Sequence, residues 1–487
     1  MGNYEWELNI SRMNHKSEYI WALLGRFLPL VIYLVTTMVL ARYLSPDDFG
    51  KVGALSVFFM VANNLMDAGL GGSLVKEPTL TKIDCSTIFI FNVVASLILY
   101  SVIVIFSSDI ETYFSSPGLS SVVRILCFIF VINSFGLVPR SLLTRDLKFR
   151  QISIINIISV FIAAVISIIL AIIKFGVYAL VAYQIVSAAI MVLLSFKISR
   201  FSFSFQFSKN SLFRLMPFGI YTTLTSTIDT IYENLITFLF GKYLNMQQAG
   251  YLYQAKRLEE VPSQSVAQTI SSVAFPVLAK IRTNAIDFSK ECTVTFQNVL
   301  LFVLPILFTL SIFSELIMCI VLGNQWRPAA PYLSLLIYAA IFHIAETLNR
   351  TFIKSTTKVD LLFKYTMIKR FLGIGIIFLC LLIEPKTVLY GYIVSTLIGY
   401  ILNVHLLARV SEITIALQFR SFAFVLFPNI VYYISMLFII AFIESIYFQI
   451  SVCLVLLMIY YLGILRLYNI NAISLFSGLY RKLINIK

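Results

Sequence analysis

The sequence predicts an all-α integral membrane protein of about fourteen transmembrane helices, arranged as two six-helix lobes with two further helices at the C-terminal side. Three observations predict it. Apolar residues make up 59% of the 487 positions and charged residues only 12%, whereas charged side chains alone reach about a quarter of the composition in a soluble domain. Apolar stretches of about 18 to 25 residues recur along the whole length, each long enough as a helix to cross a hydrocarbon core of about 30 Å. A signature is also written twice: Arg42-Tyr43-Leu44, five residues, Gly50, and then Lys242-Tyr243-Leu244, five residues, Gly250.

The apolar stretches lie near 20–44, 50–68, 86–107, 119–140, 153–174, 176–197, 216–241, 252–280, 293–322, 329–353, 362–383, 387–408, 421–443 and 446–466. Gaps such as Lys174 to Gly176 and Glu384 to Lys386 leave room only for a hairpin between antiparallel spans. Both copies of the signature end a long apolar run, so whole helical units are repeated. Six spans separate the two starts, so both copies enter the membrane in the same direction. That makes a parallel repeat whose lobes are related by a pseudo-twofold axis along the membrane normal. The organisation that follows is an N-lobe over 1–200 with a cytoplasmic leader, a linker over 201–215, a C-lobe over 216–410, and spans 13 and 14 with a cytoplasmic tail over 411–487.

Cations set the orientation. With the amino terminus inside, every inner segment is basic, among them Arg140, Arg145, Lys148 and Arg150, then Lys197, Arg200, Lys209 and Arg214. The outer segments hold only Arg42, Lys51, Lys174, Lys242, Arg327 and Lys386. This alternation is the positive-inside pattern, and it places both termini in the cytoplasm. The net charge of +14 then reflects topology and attraction to anionic membrane lipids, and implies no nucleic acid. Residues 1–19 lack an apolar core of their own, so the first span reads as an uncleaved anchor. The six cysteines show no CxxC and no histidine at metal spacing, which indicates neither a disulfide framework nor a metal site, and no cofactor is implied.

The string Ala41-Arg42-Tyr43-Leu44-Ser45-Pro46-Asp47-Asp48-Phe49-Gly50 resembles the signature after the first helix of Wzx-type polysaccharide and O-antigen exporters, the flippases of the MOP superfamily, whose fold is MATE-like. Asp67-Ala68-Gly69-Leu70 resembles the end of that family's second helix, and Arg140 to Phe149 its fourth inner loop. Gly176 to Val181 is similar to the start of the sixth helix. Gly250-Tyr251 with Ala255, Pro262 and Phe275-Pro276 is similar to the eighth, and Gly323 with Trp326, Ala329 and Pro331 to the approach to the tenth. The likeness spans residues 20 to about 375, nearest to colanic-acid-type and teichuronic-acid-type exporters, and beyond about 385 only hydropathy agrees. The resemblance implies a non-enzymatic flippase of the bacterial cytoplasmic (inner) membrane. It would move an undecaprenyl-diphosphate-linked oligosaccharide outward through a cationic cavity between the lobes, by alternating access biased either by a proton or sodium gradient or by removal of substrate outside. A polysaccharide polymerase and a chain-length regulator are the partners it implies.

Intramembrane charges make this residue-specific. Arg26 sits about six residues, or roughly 9 Å, into the first span, where an unpaired charge costs at least about 3 kcal/mol. Either it pairs with the substrate diphosphate, or it forms a structural bridge to Asp229 or Glu233, which share one face at i, i+4. His343, Glu346 and Arg350 also share a face, and with Asp229 and Glu233 they are candidates for ion coupling or for a packed ion network. Lys256 and Arg257, at the outer end of the eighth span, read as a diphosphate exit site or as partners of Glu259 and Glu260. Lys369 and Arg370 can snorkel to the inner face, as can Arg124 to the outer one. Asp67 either ends a helix or, by the resemblance, stands at the lobe entrance. Tyr33 and Tyr221 are placed to stack on sugar rings. The alternative functions are a cation-coupled multidrug exporter of the same superfamily, expected to have an acidic aromatic cavity, and an integral-membrane polymerase or glycosyltransferase. The enzymes call for a large outer loop or soluble domain that the short connections do not provide.

Overall fold

The structure, a computed structural model, describes residues 15–67, 69–356, 359–443 and 445–467, and all regular structure among them is helical. In chain order the first helices are α1 (His15–Tyr43), α2 (Pro46–Asp67), α3 (Leu70–Lys76), α4 (Lys82–Ile105), α5 (Ser107–Phe114), α6 (Leu119–Arg145), α7 (Phe149–Ile172) and α8 (Tyr178–Ser199). There follow α9 (Lys209–Tyr243), α10 (Met246–Ile281), α11 (Ala285–Ile312), α12 (Ser314–Val321), α13 (Ala330–Ser355), α14 (Val359–Ile383), α15 (Val388–Val410), α16 (Ile415–Phe442) and α17 (Ile446–Leu467). Short 3-10 turns at Asn324–Ala329 and Pro385–Thr387 precede α13 and α15.

Fourteen of the described helices have 22 residues or more, in agreement with the expected number of spans. Ten are long and apolar enough to cross a membrane by length and composition among the described residues. The other four long helices are α1, α2, α9 and α10, which are spans 1, 2, 7 and 8 and correspond in pairs under the repeat. Apolar side chains such as Phe161, Ile169, Leu382 and Phe427 face outward from the spans, as expected when the solvent is lipid and each backbone polar group is satisfied within its own helix. The chain is a multi-pass membrane protein.

Local chemistry explains where these helices start and stop. At the first signature Ser45 caps α2: its hydroxyl accepts from Asp48 N at 3.3 Å, while Asp48 Oδ2 accepts from Ser45 N at 3.0 Å. This is a capping box with Pro46 in the first helical position. At the second signature Asn245 stands in the place of Ser45 and accepts from Gln248 N at 2.8 Å to cap α10. Each signature is thus a stop, a cap and a restart, in which a cap contributes about 1 kcal/mol. The repeat extends further. An eight-residue helix follows span 3 (α5) and another follows span 9 (α12). Gly118 (φ 79°) precedes α6, and Gly323 (φ 109°) stands at the same place in the second copy.

The residues form two compact units, Met1–Tyr253 with Val321–Gln325, and Gln254–Ile320 with Trp326–Lys487. The first contains the whole of α9, which begins the second copy of the repeat, because α9 packs along α2 and meets α3 and α4 near its start. Between α8 and α9, Phe201, Phe203, Phe205 and Phe207 alternate with Ser202, Ser204, Gln206 and Ser208. The polar side of this extended segment is fastened to the start of α4, where Ser204 N donates to Ser86 Oγ at 3.3 Å and Ser208 N to Thr87 Oγ1 at 3.0 Å.

Candidate functional site

Three clusters of polar or close-packed groups stand out, and the first is where the two copies of the repeat meet. A Cβ on Gly50 would overlap the carbonyl oxygen of Met246 and lie 3.0 Å from Gly250 N. A Cβ on Gly250 would overlap the carbonyl of Pro46 and lie 3.0 Å from Gly50 N. The first turns of α2 and α10 therefore cross backbone to backbone, each through the glycine of its own signature. The flanking contacts are reciprocal too. Lys242 donates to the carbonyl of Tyr113 and stands 4.0 Å from the centre of its ring, so the second copy's cation rests on the first copy's short helix α5. On the other side Gly323 lies against Arg42, whose Cγ is 3.9 Å from where a Cβ would be. Gln325 donates to the carbonyls of Ala41 and, at 3.1 Å, Leu44. The doubled signature therefore specifies a local twofold junction.

Below that junction α2 and α9 are joined by a seam of uncharged polar groups. Gly241 meets Ala54, Ser56 Oγ donates to Asn234 Oδ1 at 3.1 Å, and Asn64 Nδ2 donates to Thr230 Oγ1 at 2.8 Å. The pairs descend in register along two antiparallel helices. Asn63, beside Asn64, accepts from Asn133 Nδ2 of α6 at 3.3 Å. The side-chain oxygen Oδ1 of Asn133 and the hydroxyl of Thr227 are buried without a hydrogen-bond partner among the described residues. At its start α9 is held by charge: Arg214 Nη2 donates to Asp84 Oδ2 at 2.8 Å, and Ser73 Oγ donates to the carbonyl of Leu215 at 2.8 Å.

The third cluster lies in the second unit. Glu346 of α13 forms an ion pair with Lys369 of α14, and both are about 4% exposed or less. Gly399 of α15 makes room for the pair, since a Cβ there would stand 2.8 Å from Glu346 Oε2 and 2.9 Å from Lys369 Cδ. Arg370, His343 and Arg350 also act on the carboxylate, so one anion sits among a surplus of basic groups. One turn along, Asn349 is fully buried with neither amide atom hydrogen-bonded among the described residues, and Asn403 Nδ2 is likewise unsatisfied.

Of the residues expected from sequence, the side chains of Arg26, Asp67 and Tyr221 lie outside the described residues. The backbone of α2 does end at Asp67, with Gly69 at φ 64°. Tyr33 packs against Tyr183 with ring centroids 5.7 Å apart. Asp229 is half-buried and Glu233 exposed on α9, beside the residues of the seam. Lys256 and Arg257 both reach Glu260, at 3.8 and 3.4 Å. His343 is half-buried one turn before Glu346. The snorkelling expected of Lys369 and Arg370 does not occur: both are 5% exposed or less, because a carboxylate within reach holds the lysine more firmly than the distant interface. Sequence reasoning missed this partner and missed the seam. The available signal was the presence of amides inside apolar spans, at Asn63, Asn64, Asn234, Asn349 and Asn403.

Comparison with known proteins gives these features a context. Residues 39–331 match the family described as "Polysaccharide biosynthesis protein". The chain is 27% identical over 321 residues to the "Succinoglycan biosynthesis transport protein ExoT" of Rhizobium meliloti (strain 1021), a match covering 65% of this chain and 64% of that protein, just under two thirds of its length. It is 25% identical over 362 residues to the "Lipopolysaccharide biosynthesis protein WzxC" of Escherichia coli (strain K12), covering 73% and 72%. Among solved structures, "Lipid II flippase MurJ, inward closed conformation" superposes with a TM-score of 0.72 at 16% identity, over 92% of this chain and 99% of that one. An inward-facing multidrug resistance MATE family transporter of the MOP superfamily superposes with a TM-score of 0.61 at 13% identity, over 80% and 98%. At these identities the structures show the fold, which is of the MurJ and MATE kind.

Proposed function

The chain belongs to the polysaccharide biosynthesis protein family, and on that premise we propose that it is a flippase for an undecaprenyl-diphosphate-linked oligosaccharide in a bacterial cytoplasmic membrane. One observation carries the reading: a member of that family whose described residues are membrane-length helices joined by short connections. A polysaccharide biosynthesis family whose described residues here are mostly membrane-length helices supports moving a glycan across lipid.

The path for such a substrate must be hydrophilic, able to hold a diphosphate and open sideways for the polyprenyl tail. In our reading Arg26 takes the diphosphate, Asp67 stands at the entrance, Lys256 and Arg257 assist at exit, and Tyr33 and Tyr221 stack on sugar. The lobes 1–200 and 216–410 rock between states open to either side, with both termini inside. Closure at the outside is the Gly50–Gly250 crossing. Asp229, Glu233, His343 and Glu346 carry coupling to a proton or sodium gradient, and Lys369 gives that proposal a specific form. An entering cation has to displace the lysine from Glu346, and only such a difference in affinity between states lets an ion bias the rocking. A polymerase and a chain-length regulator would receive the product outside.

The test is deletion of the gene with analysis of lipid-linked oligosaccharides, alongside flipping of a labelled lipid-linked oligosaccharide in proteoliposomes. The expected result is accumulation on the inner leaflet and transport by the purified chain. Arg26→Ala is expected to abolish transport at normal abundance, and Arg26→Lys to retain part of it, since a point charge still attracts phosphate without the bidentate fork. Glu346→Gln is expected to bind substrate but lose gradient dependence. No accumulation and no transport would end the flippase reading.

A further inference from the structure

The α2–α9 seam is chemically odd for a place so deep in the membrane. Ser56 lies ten residues into α2, about 15 Å from its start at 1.5 Å per residue, so the Ser56–Asn234 contact is near mid-depth. Asn64–Thr230 lies about two turns further in. Ser56 and Asn234 are buried at 6% and 8% exposure. An interface between two helices that never part is served as well by small or apolar residues, because hydrogen bonds between membrane helices add only modestly to their association. The upper part of this same interface is of that kind, with Gly241 on Ala54 and Phe238 beside Phe58 at 5.9 Å between ring centroids. From Ser56 downward it becomes six uncharged hydrogen-bonding side chains: Ser56, Asn63, Asn64, Asn133, Thr230 and Asn234.

We propose that this seam is the surface that binds the sugar head of the translocated lipid, an uncharged polyhydroxylated group, when α2 and α9 separate. The inference rests on the flippase reading and adds to it a site separate from the proposed diphosphate ligand Arg26. Each sugar hydroxyl is a donor and an acceptor at once, and so is each Asn, Ser or Thr side chain in the seam. The bonds that join the helices to each other are therefore replaceable, one for one, by bonds to sugar or to water. Capacity is already left over, since the side-chain oxygen Oδ1 of Asn133 and the hydroxyl of Thr227 have no hydrogen-bond partner among the described residues. The hydrogen bonds across the seam join uncharged groups, and a seam of ion pairs would cost far more to open than one of amides. The seam runs from mid-depth toward the end that the charge pattern assigns to the cytoplasm, where a lipid-linked glycan has to enter.

The experiment measures binding to purified full-length protein in nanodiscs with two probes: undecaprenyl diphosphate, and the same lipid carrying a disaccharide of uncharged sugars. Asn64→Leu and Asn234→Leu keep the branched side-chain shape, with somewhat larger bulk, and remove hydrogen bonding. Each is expected to weaken binding of the disaccharide lipid about tenfold, a loss of the size of one or two hydrogen bonds, while binding of the bare diphosphate stays as in the wild type. Ser56→Ala and Thr230→Val remove single hydroxyls with less disturbance to folding, and each has to show the same selective loss, though smaller. An equal loss for both probes, or none for either, in variants that elute and melt like the wild type overturns the seam proposal and leaves the flippase reading standing. A wild-type chain that binds neither probe overturns the flippase reading, and this inference with it.

Discussion

Gly50 and Gly250, 200 positions apart in sequence, occupy each other's side-chain space: the Cβ that either lacks would fall on the backbone of the other's helix. No rotamer relieves such an overlap, because the obstructing atoms are the carbonyls of Met246 and Pro46. Gly50→Ala or Gly250→Ala is therefore expected to push the first turns of α2 and α10 apart, at an overpacking cost of about 1–3 kcal/mol. Thr237, 2% exposed on α9, reports the separation. Labelling of a Thr237→Cys protein by a water-soluble maleimide should speed up about tenfold or more in either glycine variant, at about 1.4 kcal/mol per tenfold change. Gly375→Ala, which has open space around it, should leave the rate unchanged. An unchanged rate in Gly50→Ala would mean that the crossing is not what closes this end.

The alternation of basic segments gives a second expectation. Ser115 and Asn324, both exposed and lying just before α6 and α13, should react as cysteines with an impermeant thiol reagent applied to intact cells. Ser208, at the start of α9, should not. Labelling of Ser208→Cys in sealed cells contradicts the orientation with both termini inside.

Sequence periodicity reached the helices because lipid imposes a length and a polarity on every span, and it reached the repeat because the signature was duplicated; that the two signatures meet through Gly50 and Gly250 is seen only in the structure. It did not reach the partners. That Glu346 meets Lys369 depends on which faces of α13 and α14 turn together, and on Gly399 of α15 being small enough to admit both side chains. No local pattern encodes that three-helix arrangement. The rule that lysines near a membrane surface snorkel pointed the other way. The seam was hidden for a related reason: single amides such as Asn64 and Asn234 carry no charge to mark them, and their significance appears only when two helices from different copies lie in register.

For the buried pair, removing one partner should be worse than removing both. Glu346→Gln leaves Lys369 as an uncompensated charge among basic neighbours, and Lys369→Met leaves Glu346 without its ion-pair partner. Breaking a buried pair in this way costs about 3–5 kcal/mol, whereas replacing both ends is often close to neutral. Thermal unfolding in detergent should therefore show both single variants destabilised and the double variant Glu346→Gln/Lys369→Met restored most of the way. Additive losses in the double variant would mean that the two side chains act separately. Gly399→Ala should behave like the single variants, because its methyl group would crowd both partners at once.

The last expectation concerns the start of α9, where Asp84 and Arg214 do unequal work. Asp84 is 1% exposed, and one of its oxygens accepts from Thr81 N at 3.0 Å, from Thr81 Oγ1 at 2.8 Å and from Arg214 at 2.8 Å. It therefore both caps α4 and anchors α9. The side chain of Arg214 is 48% exposed, so solvent screens its half of the pair and its removal should cost no more than about 1 kcal/mol. Loss of Asp84 removes the capping box as well, worth about 0.5–2 kcal/mol, and takes from the Thr81 hydroxyl its acceptor on Asp84. The native Cys85, next in sequence and 6% exposed, makes this measurable without an added probe. Thiol labelling of Cys85 on purified protein should accelerate most in Asp84→Ala, less in Asp84→Asn, whose carbonyl still accepts a hydrogen bond, and least in Arg214→Ala. Adding Arg214→Ala to Asp84→Ala should change little, because the anchor is already gone. If Arg214→Ala alone exposes Cys85 as much as Asp84→Ala does, the ion pair rather than the cap holds α9 against α4.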